Sequence, residues 1–111
     1  MTKLTENELK LIKFIANESE FNCDSLDFTK SFEEQRLEDE DNFISFVEIK
    51  KYNKLLGTNN EGSRAILGSL VKKNLCYTMK EEDHKPVLFW LHIDKENFEN
   101  IVAALKEQGE L

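Results

Sequence analysis

Leu9, Ile12, Ile15 and Ala16 recur at helical spacing near the start of the chain, widened by Leu11 and Phe14. Glu6, Lys10, Lys13 and Asn17 form the remaining polar strip. This pattern predicts a first helix with buried surface on more than one side. Thr5-Glu6-Asn7-Glu8 fits a capping box, with Thr5 as the N-cap and Glu8 three residues on. Leu4 and Leu9 stand at the staple positions that fix the angle of entry.

Residues 18–42 scatter Phe21, Leu26, Phe28, Phe32 and Leu37 among many acids. Ser31 is placed to cap a short helix reaching about Asp39, with Glu34 at N3. Glu38-Asp39-Glu40-Asp41-Asn42 reads as a solvated loop. Ser45-Phe46-Val47-Glu48 fits a second capping box, flanked by Ile44 and Ile49, and predicts a helix running through Tyr52, Leu55 and Leu56. Gly57 is suited to the left-handed residue that stops it. Thr58, Asn59 and Asn60 supply turn chemistry and N-caps for a third helix, about Glu61 to Lys73, with Ile66, Leu67, Leu70 and Val71 as its buried stripe and Asn74 as its stop. Strands are expected at Leu75–Met79 and Val87–His92, joined by a polar link and close enough to form a hairpin. Asp94 caps a last helix with Phe98, Ile101, Val102 and Leu105 on one face, and Gly109 ends it. The order is helix, short strand, helix, tight turn, helix, hairpin, helix.

Composition narrows the class. The chain has 111 residues, 40% of them hydrophobic, enough for one modest core in one domain spanning 1–111. No run approaches the roughly 20 apolar residues of a membrane span, and the first residues lack a signal-peptide core, so a cytoplasmic location is expected. Cys23 and Cys76 stand far apart and no metal-ligand spacing is present, so both are expected as free thiols and no cofactor or metal is implied. His84 and His92 have no partner at a catalytic spacing, and Trp90 reads as core. No phosphate loop or nucleophile motif occurs, so an enzyme is not expected.

The net charge is −7, and its distribution says more than its total. Residues 18–42 set Lys30 and Arg36 against ten acids, a balance of −8. Residues 43–80 set Lys50, Lys51, Lys54, Arg64, Lys72, Lys73 and Lys80 against Glu48 and Glu61, a balance of +5. The flanking residues 1–17 and 81–111 carry +1 and −5.

Two helices joined by three or four residues containing Gly57 carry the spacing of a helix-turn-helix, and the hairpin that follows adds a wing. Over about residues 43–93 the chain resembles winged helix-turn-helix regulators of the MarR-like superfamily. The stretch that carries the likeness is Glu61-Gly62-Ser63-Arg64-Ala65-Ile66-Leu67-Gly68-Ser69-Leu70-Val71-Lys72-Lys73-Asn74-Leu75. It is similar to the family's recognition helix, which commonly ends in Leu-x-Lys-Lys-Gly; here Asn74 stands for the Gly. The resemblance implies an α+β, mostly α fold: a three-helix core, a two-stranded wing and a C-terminal helix. Two features depart from the family: the acidic 18–42 segment, and a wing tip of Glu81-Glu82-Asp83 where a basic residue is common.

The function so implied is transcriptional regulation through duplex DNA, with the 61–73 helix in the major groove. Asn60, Glu61, Arg64, Ala65, Gly68, Ser69 and Lys72 are expected on its outer face. Arg64 suits guanine, Asn60 suits adenine, and the small Ala65 and Gly68 permit close approach. Lys50, Lys51, Lys54, Lys72, Lys73 and Lys80 suit phosphates. The blander readings are that the lysines are merely solvated, that Arg64 pairs with Glu61, and that Gly68 admits a neighbouring helix within the domain. The apolar terminal helices offer a homodimer contact. A second class of function is a protein-interaction module or acidic DNA mimic that captures a basic protein partner, with segment 18–42 as its surface. A third version has that segment fold over the basic face and inhibit it.

Overall fold

α1 spans Glu6–Asn17 in a computed structural model that describes residues 3–17, 27–34, 43–81 and 88–111. The side chains of residues 15–17, 43–47, 80–81 and 88–90 fall outside that description. The expected capping box is formed: the Glu8 N–H donates to Thr5 Oγ1 at 3.2 Å, and Glu8 Oε1 accepts from the Thr5 N–H at 2.8 Å. Leu11 and Ile12 are buried, Leu4 is buried at the staple position, and Leu9 packs against the core.

The architecture is α+β and mostly helical: α1, β1 (Phe43–Glu48), α2 (Ile49–Leu56), α3 (Asn60–Lys72), β2 (Tyr77–Glu81), β3 (Leu88–His92) and α4 (Lys95–Glu107). The strands form one antiparallel sheet in the order β1-β3-β2. The sequence leaves β1 without an address and assigns its residues to a helix cap. Residues 43–48 are strand instead, and α2 starts after Glu48, whose backbone is extended and whose side chain makes no cap bond. Phe43, Ile44, Phe46 and Val47 are strong strand formers. The β3 edge gives them a ladder from Phe43↔His92 to Glu48↔Leu88. Such a ladder satisfies far more backbone groups than one serine cap.

α2 ends as expected at Gly57, with φ +66°, where a side chain would be strained. Three residues later α3 begins, capped by Asn59, whose Oδ1 accepts from the Gly62 N–H at 2.9 Å. Gly62 has a steric reason to be glycine, because a β-carbon there would collide with the Thr58 side chain. α3 buries Ser63, Leu67 and Leu70, with Ile66 half-buried. Val71, expected in that stripe, is 39% exposed. One core joins these residues to Leu11 and Ile12 of α1, Tyr52 of α2, Leu91 of β3, and Phe98, Ile101, Ala104 and Leu105 of α4. Among the described residues of α1 and α4, Leu11, Ile12, Phe98, Ile101, Ala104 and Leu105 are buried in this core, while Leu9, Phe14 and Val102 are partly buried against it.

The acidic segment is described only at its middle. Residues 27–34 make two turns, one held by Asp27 Oδ1 accepting from the Thr29 N–H and one by Ser31 Oγ accepting from the Glu34 N–H. The remainder of the short helix expected after Ser31 lies outside the described residues. Phe28 and Phe32 are buried against Phe98, at ring separations of 5.4 and 5.5 Å. Glu33 pairs with Lys95 at 2.5 Å. The described part of the segment therefore docks on α4.

α4 has its own capping box, with Asp94 and Asn97 exchanging hydrogen bonds at 2.8 and 3.1 Å. The buried Asn97 also donates through Nδ2 to the Asn74 carbonyl at 3.0 Å. Asn97→Ala removes half of the capping box and leaves that carbonyl with only the exposed Asn100 amide, at 2.9 Å. We expect a loss of about 2 kcal/mol in the free energy of urea unfolding. Asn100→Ala should cost well under half as much.

Candidate nucleic-acid interface

The outer face of α3 is set by what the helix buries. With Ser63, Leu67 and Leu70 inward, Glu61, Arg64, Ala65, Gly68 and Lys72 are exposed and follow the i, i+3, i+4, i+7, i+11 spacing of one stripe. Asn60 is exposed at one border. Four of the expected contact residues, Arg64, Ala65, Gly68 and Lys72, are thus brought together on one surface.

Three polar attachments fix how that surface is presented. At the N-terminal end, the Asn53 amide of α2 lies 2.6 Å from both the Asn60 amide and the buried Ser63 hydroxyl. At the C-terminal end, Asn74 takes the left-handed conformation, φ +59°. Its carbonyl accepts from Asn97 and Asn100, and its own amide donates to Glu96 Oε1 at 3.1 Å. On the flank facing α1 lies Glu8, only 1% exposed. Its carboxylate accepts from the Ser69 hydroxyl at 2.7 Å and pairs with Lys73 Nζ at 2.6 Å. Lys73 also donates to the Lys3 carbonyl at 2.7 Å. Burial pushes the Glu8 carboxyl up, but the hydrogen bonds from Lys73, the Thr5 N–H and Ser69, with the Lys73 charge, outweigh it and hold the group below its ordinary value of 4.5.

This cluster engages two of the expected contact residues within the chain. Ser69 is turned toward α1, its hydroxyl held by Glu8 and the Ile66 carbonyl. Lys73 pairs with the Glu8 carboxylate while its side chain stays partly exposed. A readable signal was present: Glu8 lies three and four residues before Leu11 and Ile12, on the face that becomes buried, and a carboxylate there requires a cation.

On α2, Lys50 and Lys54 are exposed, one turn apart, opposite Ile49, Tyr52 and Leu56. Lys51 is half-buried, with its Nζ 5.6 Å from the Phe14 ring centre, so its ammonium packs toward α1. The Lys80 side chain and the wing-tip residues Glu82 and Asp83 lie outside the described residues, as do His84 and Cys23. The Trp90 side chain does too. His92 is buried and stacks on Tyr77 at 4.9 Å. Cys76 is a free, buried thiol whose pKa desolvation raises to about 12. Among the described residues no helix is long and apolar enough to cross a membrane. Gly68 has open space where a β-carbon would stand among the described residues.

No protein-family model, curated protein or solved structure matches the chain.

Glu8 has a lowered pKa in the folded chain, so its contribution is complete above pH 4.5 and is lost as pH falls through the lower native value. Glu8→Gln should cost about 2 kcal/mol near neutral pH. The gap between wild type and variant, followed by chemical unfolding, should close progressively below pH 4.5. Lys73→Met, which leaves the buried carboxylate without its cation, should cost about 3 kcal/mol near neutral pH. Gly68→Ala should do the reverse and raise the unfolding free energy by about 0.5–1 kcal/mol, because the helix loses a flexible residue and nothing is crowded.

Proposed function

We propose that the chain is a winged helix-turn-helix protein that binds duplex DNA, with α3 in the major groove, and acts as a transcriptional regulator. The observation that carries this reading is the outer stripe of α3, where Arg64 and Lys72 flank the small Ala65 and Gly68. The three-residue turn at Gly57 and the strand order β1-β3-β2, with β2 and β3 as a hairpin directly after α3, support the winged-helix assignment. Residues at the N-terminal part of such a second helix contact base edges. Arg64 serves as the guanine reader and Asn60 stands beside it, while Lys50, Lys54 and Lys72 serve phosphates. An intact Gly68 is helically unfavourable, and no described residue crowds a β-carbon there, which fits a surface that another molecule approaches closely. The reading keeps the cytoplasmic location expected from the sequence. A homodimer, which would double the phosphate contacts, remains part of the proposal.

A second reading, a protein-interaction module, draws on a different observation. Val71, Tyr77 and Met79 are exposed apolar residues, at 39, 38 and 57%, at the end of α3 and on the edge strand β2. The acidic segment supplies its charge, and its described part sits on α4 rather than over α3.

Duplex binding measured by fluorescence anisotropy separates the two. Under the DNA reading, affinity for random duplex at low salt falls about a thousandfold between 50 and 200 mM salt if six phosphates are engaged. Arg64→Ala and Lys72→Ala each weaken it about tenfold. Absence of binding at the lowest salt overturns the DNA reading and leaves the protein-interaction one.

A further inference from the structure

Between residues 49 and 80 the chain carries seven basic side chains, Lys50, Lys51, Lys54, Arg64, Lys72, Lys73 and Lys80, and one acid, Glu61. In a chain with 22 acidic residues, that single acid stands out by where it falls. Glu61 is exposed, in the first turn of α3 and on the same stripe as Arg64, Ala65, Gly68 and Lys72. Its side chain is not needed to start the helix, because Asn59 provides the cap. It makes no ion pair or hydrogen bond among the described residues. A carboxylate in the middle of a phosphate-binding surface repels the backbone and lowers affinity for every sequence. In the first turn it also complements the positive end of the helix, and on a groove-facing surface it gains further where it meets a hydrogen-bond donor on a base edge. In the major groove cytosine N4 is the donor a carboxylate reads.

We infer that Glu61 is a specificity-determining residue that accepts a hydrogen bond from cytosine N4, beside the guanine contact of Arg64. This rests on the DNA reading above. Position supports the pairing of roles: the two side chains are one helical turn apart at the end of α3 that enters the groove. The carboxylate disfavours any base that presents an acceptor at that position, and it weakens binding to sequences in which nothing donates to it. Glu61 therefore lowers nonspecific affinity and raises discrimination together.

The test is selection from a randomised duplex pool with the full-length chain and with Glu61→Gln, followed by affinity measurements on the selected and random duplexes. Wild type should favour cytosine at one position of its site by about tenfold. Glu61→Gln should shift that position toward adenine, whose N6 and N7 match the glutamine amide, and should bind random duplex more tightly than wild type. The same base preference in both proteins overturns the inference, as does tighter binding by the variant to all sequences equally. Wild-type binding without any base preference also overturns it, and in each of these cases the DNA reading stands. Failure of both proteins to bind or enrich any duplex at low salt overturns the DNA reading itself.

Discussion

The Glu8 carboxylate is the interaction on which the arrangement of the helices depends. It closes the first turn of α1 through Thr5 and, from the same two oxygens, grips α3 through Ser69 and Lys73. Taking a carboxylate out of water costs several kcal/mol, and only the full set of donors offsets that cost. A small rotation of α3 about its axis would break the Ser69 and Lys73 bonds together and strand the charge. The apolar contacts of Leu67 and Leu70 tolerate sliding; directional bonds to a buried anion tolerate it far less. The polar cluster, more than the oily one, therefore defines which residues α3 turns outward.

The same logic recurs at both ends of α3. Asn53 ties its start to α2, and Asn74, held by Asn97 and Asn100, ties its end to α4. Three neighbouring helices thus each hold α3 by polar side chains, and none of these side chains belongs to the exposed stripe of Glu61, Arg64, Ala65, Gly68 and Lys72. Orientation and surface chemistry are carried by separate residues on one short helix. Chemistry on the outer stripe can change without loosening the scaffold, whereas Ser69 and Lys73 cannot change freely although they are neighbours in sequence.

Legibility in the sequence followed the range of each interaction. The Thr5–Glu8 cap, the Gly57 stop, the Asn74 left-handed turn and the Asp94 start are decided within four residues, and local rules read them. Ser45–Glu48 shows the limit of those rules. Its residues satisfy a helix-start pattern, yet they pair with β3 from Ser45↔Leu91 to Glu48↔Leu88, far along the chain, and a ladder of backbone hydrogen bonds prevails over one side-chain cap. For the site, helical spacing placed Arg64, Ala65, Gly68 and Lys72 on the exposed stripe. It could not separate Ser69 and Lys73 from them, because their fate is set by a residue 61 and 65 positions earlier. Periodicity gives the direction of a side chain relative to its own helix; whether solvent or another helix waits there is a tertiary fact.

The distance between Glu8 and Lys73 also orders events in time. A chain synthesised from its N-terminus exposes Glu8 long before Ser69 and Lys73 exist, and until they emerge the carboxylate lacks its native partners on α3. Water must solvate it, so the face bearing Leu11 and Ile12 cannot dock in its final position. Closing a loop of this length costs entropy that later contacts must repay. The full set of bonds to Glu8 is therefore completed only once the end of α3 is present.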